Sequence, residues 1–271
     1  MKQQETVHVA SGRKGAASLG KIISFANQKG GVGKTTSAVN IAAALGILGY
    51  RVLLVDLDPQ GSATGSVGVS KKSLRFSVSD LLIRGCRAQD AILHTDFQGL
   101  DLLPANISLA GTEFDLLDGA EGEAHLRKAL STLRDDYDYI VIDCPPSLGM
   151  LTINAMTASD GVVIPMQCEY FALEGLSQLM MTIGRIKKRY NPRLAVTGIL
   201  VTMHNARLTL SAQVMAELKK HYAERVFQTP VSRNVRLSEA PSFGKPVQYH
   251  DKSAKGAREY MAVARELLER T

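Results

Sequence analysis

The run Lys29-Gly30-Gly31-Val32-Gly33-Lys34-Thr35-Thr36 has the residue types and spacing to hold a polyphosphate. Glycines let a backbone curl without Cβ clashes, so that its N–H groups converge on an anion. Lys34 can supply a point charge for β- and γ-phosphates, and the Thr35 hydroxyl can ligate Mg²⁺. The general phosphate-loop pattern places glycine where this chain has Gln28, and a second lysine, Lys29, follows. Two carboxylate motifs close apolar runs elsewhere. In Val55-Asp56-Leu57-Asp58-Pro59-Gln60-Gly61, Asp56 and Asp58 share one face if a strand continues through them. Pro59 ends such a strand and leaves Asp58 at its lip, where a carboxylate can position or activate an attacking water, or hold a metal-bound water. Asp56 either joins that work or only hydrogen-bonds the loop backbone. In Ile142-Asp143-Cys144-Pro145-Pro146, Asp143 takes the place of a Walker-B aspartate that holds Mg²⁺.

These residues need a scaffold that brings strand ends together. The loop follows an apolar run, Ile22-Ile23-Ser24-Phe25-Ala26, and opens an Ala-rich helical pattern from Ser37 to Leu48. The start of that helix adds its positive dipole end to the anion site. Strand-like runs recur at 21–26, 51–57, 100–103, 138–143, 161–165 and 195–202. Helical patterns fall near 35–48, 78–93, 122–134, 149–158, 172–189, 208–221 and 255–269. Near-continuous apolar strands such as Val52-Leu53-Leu54-Val55 suit a sheet covered on both faces. The alternation predicts an α/β fold, a doubly wound and mostly parallel sheet flanked by helices, with ligand outside the carboxyl ends of the strands. The segments 59–66 and 144–149 follow the two aspartates and are rich in Pro, Gly and Ser. They have the composition of switches that order on phosphate and Mg²⁺ and relax on hydrolysis.

Composition narrows the function classes. A chain of 271 residues with 45% apolar and 21% charged residues is an ordinary globular protein, expected as one domain over 21–271 behind a flexible tail, 1–20. The tail lacks an apolar signal region. Cys86, Cys144 and Cys168 show no C-x-x-C spacing, which argues against a zinc site, a shared iron–sulfur cluster or a disulfide framework and fits a reducing cytosol. Charge is uneven: residues 1–180 carry 15 Lys/Arg against 19 Asp/Glu, and residues 181–271 carry 17 against 7. A basic third on a mildly acidic body suggests a polyanion surface.

Beyond the loop, Phe25-Ala26-Asn27-Gln28, DLDPQGSAT (56–64), DCPPSLG (143–149), QCEYFALEGL (167–176), GILVTM (198–203) and SRNVRLSEAPSFGKP (232–246) resemble the ParA/Soj-type chromosome-partitioning ATPases, within the ParA/MinD group with a deviant phosphate loop. The resemblance runs from Lys21 to the C-terminus. It implies an ATP- and Mg²⁺-dependent ATPase that dimerises with ATP and binds double-stranded DNA nonspecifically. It also implies a ParB/Spo0J-type centromere-binding partner that stimulates hydrolysis, and a cytoplasmic, nucleoid-associated location. On this resemblance Lys29 is the signature lysine that reaches the partner's nucleotide, as an arginine finger does. Gly30 sits where two protomers meet, Lys34 is the phosphate lysine, Thr35 the Mg²⁺ ligand and Asp58 the hydrolytic aspartate. Arg207 and Arg236 match DNA-contacting positions, and Arg233 and Asn234 lie in the segment near the nucleotide base. Soj-like chains usually carry Pro just before that Arg-Asn pair, whereas this chain has Ser232, with Pro230 two residues earlier. No base-reading motif is visible, so the expected DNA contacts are to phosphates.

Three rival readings make different demands. A MinD-like membrane ATPase needs a C-terminal amphipathic helix with a basic polar face. The final helical pattern instead puts Tyr260, Met261, Ala264, Leu267 and Leu268 on one stripe and mixes Arg and Glu on the other, as a core-facing helix does. An iron–sulfur carrier needs clustered cysteines. A scaffold that keeps only the fold has no use for Lys34, Thr35, Asp58 and Asp143 together.

Overall fold

The computed structural model describes residues 19–119 and 121–271. The tail expected at 1–20 lies outside these, apart from Leu19 and Gly20. Gly20 is fixed to the body: its N–H donates to the Arg134 carbonyl at 2.8 Å, and Arg134 returns a bond from Nε to the Gly20 carbonyl at 3.0 Å.

Among the described residues seven strands form one sheet in the order β3-β4-β2-β5-β1-β6-β7. They are β1 (Lys21–Phe25), β2 (Val52–Asp56), β3 (Leu93–His94), β4 (Leu100–Leu103), β5 (Tyr139–Asp143), β6 (Gly161–Gln167) and β7 (Ala195–Thr202). All neighbours pair in parallel except β3 with β4. This is the doubly wound, mostly parallel sheet that the alternation of patterns implies.

The strands are apolar on both faces because helices cover both. Along β1, β2 and β5, Ile22, Leu53 and Ile140 face one core, and Ile23, Leu54 and Val141 face the other. The first core is closed by α3 (Val78–Ile83), α4 (Ala88–Ala91), α5 (Leu109–Asp118), α6 (His125–Ser131), α7 (Met150–Ala158), α8 (Ala172–Arg189) and α9 (Thr209–Tyr222). The second is closed by α1 (Lys34–Ile47), α2 (Ser62–Ser66), α10 (Val235–Glu239), α11 (Val247–His250) and α12 (Lys255–Arg270). Small residues Ala42, Ala43 and Ala44 are fully buried and let α1 lie close against the sheet. Tyr260 of α12 is buried beside α1, its hydroxyl 3.0 Å from Ser37 Oγ.

Two local expectations are corrected. The single helix over 78–93 is instead α3, a break, α4 and the short strand β3. Gly85 takes a left-handed φ of 66° within the break, a conformation that no α-helix continues through. The helix α5 has no counterpart in the sequence-based assignment; its apolar residues point both inward and outward, which blurs the helical stripe.

Candidate functional site

Sheet register assembles the site. Phe25 of β1 and Asp56 of β2 are both in register with Asp143 of β5. The loop after β1, the Asp58 turn after β2 and the Pro-Pro segment after β5 therefore leave neighbouring strands at the same carboxyl edge. Helix α1 begins at Lys34 directly after the loop. Gly31 and Gly33 take left-handed φ values of 73° and 83°. A side chain is strained at either position, which accounts for two of the loop glycines on backbone grounds.

The loop is held by polar side chains from the FANQ, QCEYFALEGL and GILVTM motifs. Thr202 at the end of β7 donates to the Val32 carbonyl at 2.7 Å. Gln167 at the end of β6 donates through Nε2 to the Gly31 carbonyl at 2.7 Å. Asn27 donates to the Pro165 carbonyl at 2.8 Å. The first two hold loop carbonyls outward, leaving the N–H side of the loop for an anion, and the third ties the start of the loop to β6.

Lys34 is buried and curls under the loop, donating from Nζ to the Lys29 carbonyl at 3.1 Å. Burial lowers its pKa, and the charge on Asp143 is the largest opposing influence. Asp143 is fully buried, and neither carboxylate oxygen has a hydrogen-bond partner of good geometry. Burial first, then the neighbouring Asp56, drive its pKa well above the ordinary carboxylate range; the Thr35 hydroxyl and Lys34 pull the other way. Two orphaned acceptors beside a hydroxyl and an ammonium are the setting that a hydrated divalent cation satisfies. Among the described residues no cluster of three His, Cys, Asp or Glu could hold a metal. Mg²⁺ keeps several waters and takes one or two protein ligands beside phosphate oxygens. Thr35 and Asp143 are the residues here that could serve as such ligands.

Asp56 and Asp58 divide differently from the shared-face expectation, because β2 ends at Asp56. Asp56 is fully buried. Its Oδ2 accepts from the N–H and the hydroxyl of Thr64, both at 2.7 Å, and its Oδ1 from the Asp58 N–H at 3.2 Å. It fixes the 57–64 turn. Asp58 is half-buried at the lip, accepts from the Gln60 N–H at 2.9 Å, and lies near enough to Asp143 for its charge to raise that group's pKa. Asp58 is thus the carboxylate free to meet a water or a metal-bound water.

Lys29 points away from the loop and pairs with Glu169, with both side chains about half exposed. Beside it stand Tyr170 and Phe171, 77% and 69% exposed, edge to face with ring centroids 4.9 Å apart. A cavity of about 410 Å³ opens here, lined by Gln28, Val32, Gln167 and Phe171 among others. Gly30 is exposed, and a Cβ there would meet only the Pro146 Cβ, at 4.0 Å. Val32 is buried and Thr36 half-buried in the first turn of α1.

The segment holding Arg233 and Asn234 reaches the same edge. Ser232 bridges His204, just beyond β7, and the Ser232 N–H and hydroxyl both donate to Glu259, at 2.9 and 2.7 Å. Proline at 232 could not make the first bond. Asn234 caps α10 by accepting from the Arg236 N–H at 2.9 Å, and the Arg233 side chain is exposed. Arg207 is exposed and makes no ion pair among the described residues. Arg236 is already paired, to Glu239 at 2.8 Å and Asp251 at 3.5 Å.

Comparison with known proteins decides the family. The chain is 51% identical over 249 residues to the sporulation initiation inhibitor protein Soj of Bacillus subtilis, covering 92% of this chain and 98% of that one. It is 47% identical over 259 residues to the chromosome partitioning protein ParA of Myxococcus xanthus, covering 96% and 92%. The chain belongs to the ParA/Soj family. Residues 20–196 of this ParA/Soj chain also match a family model described as an AAA domain. A solved structure from Mycobacterium smegmatis, described as cobyrinic acid a,c-diamide synthase with bound ATP analog and magnesium, superposes with a TM-score of 0.83. It is 40% identical, covering 93% of this chain and 95% of that one. No helix among the described residues is long and apolar enough to cross a membrane. The apolar stripe of α12 is buried against the body, with Tyr260, Val263, Ala264 and Leu267 inside, so it is not available to a lipid surface as in the MinD-like alternative.

Proposed function

We propose that this chain is a Mg²⁺-dependent ATP hydrolase that closes into an ATP-bound homodimer and in that state binds double-stranded DNA without sequence preference. Its work is the partitioning of a chromosome or plasmid, on the nucleoid in the cytoplasm, with a ParB-type partner that stimulates hydrolysis. The observation that carries the reading is the arrangement at the carboxyl edge: a phosphate loop with Lys34 beneath it, the orphaned Asp143 below, Asp58 at the lip, and Lys29 turned outward. Lys34 and the loop N–H groups of residues 30–36 bind the phosphates. Thr35 and Asp143 would hold Mg²⁺ and Asp58 a metal-bound water, and the ion would offset phosphate charge. Asp58 orients the attacking water at its free carboxylate oxygen. Arg233 and Asn234 border the base.

Support for the dimer is the exposed face around Gly30. A lysine next to the nucleotide yet half exposed, flanked by the exposed Tyr170 and Phe171, suits a surface that a second copy covers. Two copies then present two basic surfaces with Arg207 and Arg236 among them, which joins weak phosphate contacts by effective concentration. The test is phosphate release with DNA and the ParB-type protein added separately and together, alongside sedimentation of Asp58→Ala with ATP. Stimulation by both together, and an ATP-locked Asp58→Ala dimer, are expected. An Asp58→Ala protein that turns over normally, or stays monomeric with ATP, overturns the reading.

A further inference from the structure

We propose that the outer face of α5 is a docking surface for a basic amphipathic helix of a protein partner, which rests on the partner-stimulated cycle above. Phe114 and Leu117 are 71% and 62% exposed, and Ile107, just before the helix, is 71% exposed. Phe114 and Leu117, three apart, share one face of α5, and Ile107 stands in the turn that leads into it. Large apolar side chains grouped on a surface in this way mark a contact site. The surroundings are acidic: residues 107–123 carry five carboxylates and no Lys or Arg, in a chain whose net charge is +6; Glu121 is paired with Lys128 and Glu113 turns toward Gly149, which leaves Asp115 and Asp118 as the acidic rim. Asp115 and Asp118 are exposed and make no ion pair among the described residues.

Charge and shape together choose the occupant. Clustered carboxylates repel DNA phosphates. In a second copy the long helices α8, α9 and α12 turn their main apolar stripes into its own cores, which favours a separate partner as the source of such a helix. A helix with Leu or Ile along one stripe and Lys or Arg on its flanks matches both the apolar stripe and the acidic rim.

The inner face of α5 leads to both switch segments. The Ala105 N–H, just ahead of α5, donates at 3.0 Å to the Thr64 hydroxyl that binds Asp56. The Glu113 carboxylate fills the space that a side chain on Gly149 would occupy, at the end of the segment after Asp143. A ligand that shifts α5 therefore acts on the turn holding Asp58 and on the segment below Mg²⁺ at once, and this is a route from surface to hydrolysis rate.

The experiment uses the full chain and two probes. The first is a fluorescein-labelled helical peptide of Leu and Lys, with Leu at three- and four-residue spacing, read by anisotropy. It should bind the wild type and weaken with salt. Binding should fall by roughly tenfold or more in Phe114→Glu and in the charge reversal Asp115→Lys/Asp118→Lys. The same peptide with Lys replaced by Glu should not bind. The second probe is the ParB-type protein: the concentration giving half-maximal ATPase stimulation should rise by a similar factor in both variants, with basal turnover unchanged. Equal peptide binding by wild type and variants overturns the proposal, as does equal binding of the acidic peptide. Loss of ATP-dependent dimerisation in the variants overturns it too, because the surface would then lie between copies. A wild type that the ParB-type protein fails to stimulate sinks the partner reading of the function, while the peptide result still decides the surface.

Discussion

Replacing Lys29 with alanine should separate the fold from the assembly. In the single chain Lys29 pairs with Glu169, and the side chains are 50% and 46% exposed. An exposed pair of this kind contributes roughly 0–1 kcal/mol. The nucleotide-free melting temperature should therefore move by no more than about 2–4 °C. The loop itself does not need the side chain: the Lys29 N–H donates to Asn27 Oδ1 at 3.0 Å, and alanine keeps that bond. In the proposed ATP-bound dimer the balance differs. A lysine about 4 Å from the partner's phosphates gains about 4 kcal/mol at an effective dielectric of 20. Removing one member of such a pair costs about 2–5 kcal/mol, so the dimer Kd should rise by roughly thirtyfold or more. Analytical ultracentrifugation with ATP in an Asp58→Ala background measures this without turnover, and a nucleotide-free melt supplies the control. Glu169→Ala is the informative companion. It frees Lys29 in the single chain, and dimerisation should be unchanged or tighter. A Lys29→Ala protein that dimerises with its parent's Kd would refute the reasoning. A nucleotide-free melt lowered far beyond the surface-pair range would also refute it, since Lys29 would then belong to the fold.

Four further outcomes are expected. Gly30→Val should bind nucleotide as a monomer yet fail to dimerise, because its new Cβ meets only Pro146 within one chain; equilibrium sedimentation decides it. Asp143 has a folded-state pKa raised above its unfolded value, so wild-type stability falls as pH rises through that window. Asp143→Asn removes this share, and its melting temperature relative to wild type, without nucleotide or Mg²⁺, should climb as pH rises above about 4; a difference that stays flat or shrinks contradicts the assignment. Thr64→Val leaves the Ala105 N–H without its acceptor and removes one donor to Asp56. It should cost about 1–3 kcal/mol in denaturant titration and slow hydrolysis more than it raises KM. For DNA, Arg207→Ala should lower the log–log salt slope by about one, whereas Arg236→Ala should lower it less, because Arg236 must first leave Glu239 and Asp251.

The parts of this molecule that could be read from sequence are those where one local pattern has one physical use. Val52-Leu53-Leu54-Val55 is apolar without alternation because both its faces are covered. Gly33-Lys34-Thr35 joins a strand to a helix, and the left-handed φ of Gly33 and the buried Lys34 follow from that junction. Other features depend on partners far away in sequence. Glu169 meets Lys29 across 140 positions, and Thr202 meets Val32 across 170; both stand in motifs that carry the resemblance, but nothing local to either shows which residue it meets. The strand β3 has two residues, too few for any alternation to register.

Charge counting shows the same limit from the other side. The last 91 residues hold ten more cations than anions, which reads as one basic surface. The fold engages several of those cations in pairs and hydrogen bonds of its own. Arg270 donates to the carbonyls of Thr197, Glu224, Arg225 and Val226, pairs with Glu266, and lies 4.4 Å from the Phe227 ring centroid. Lys255 pairs with Glu259, the residue that holds Ser232 in place. A cation engaged in this way offers a phosphate little without first losing its carboxylate. The effective polyanion surface is therefore smaller than the count, and an unpaired exposed arginine such as Arg207, set between β7 and α9 on the nucleotide edge, weighs more in it than its single charge suggests.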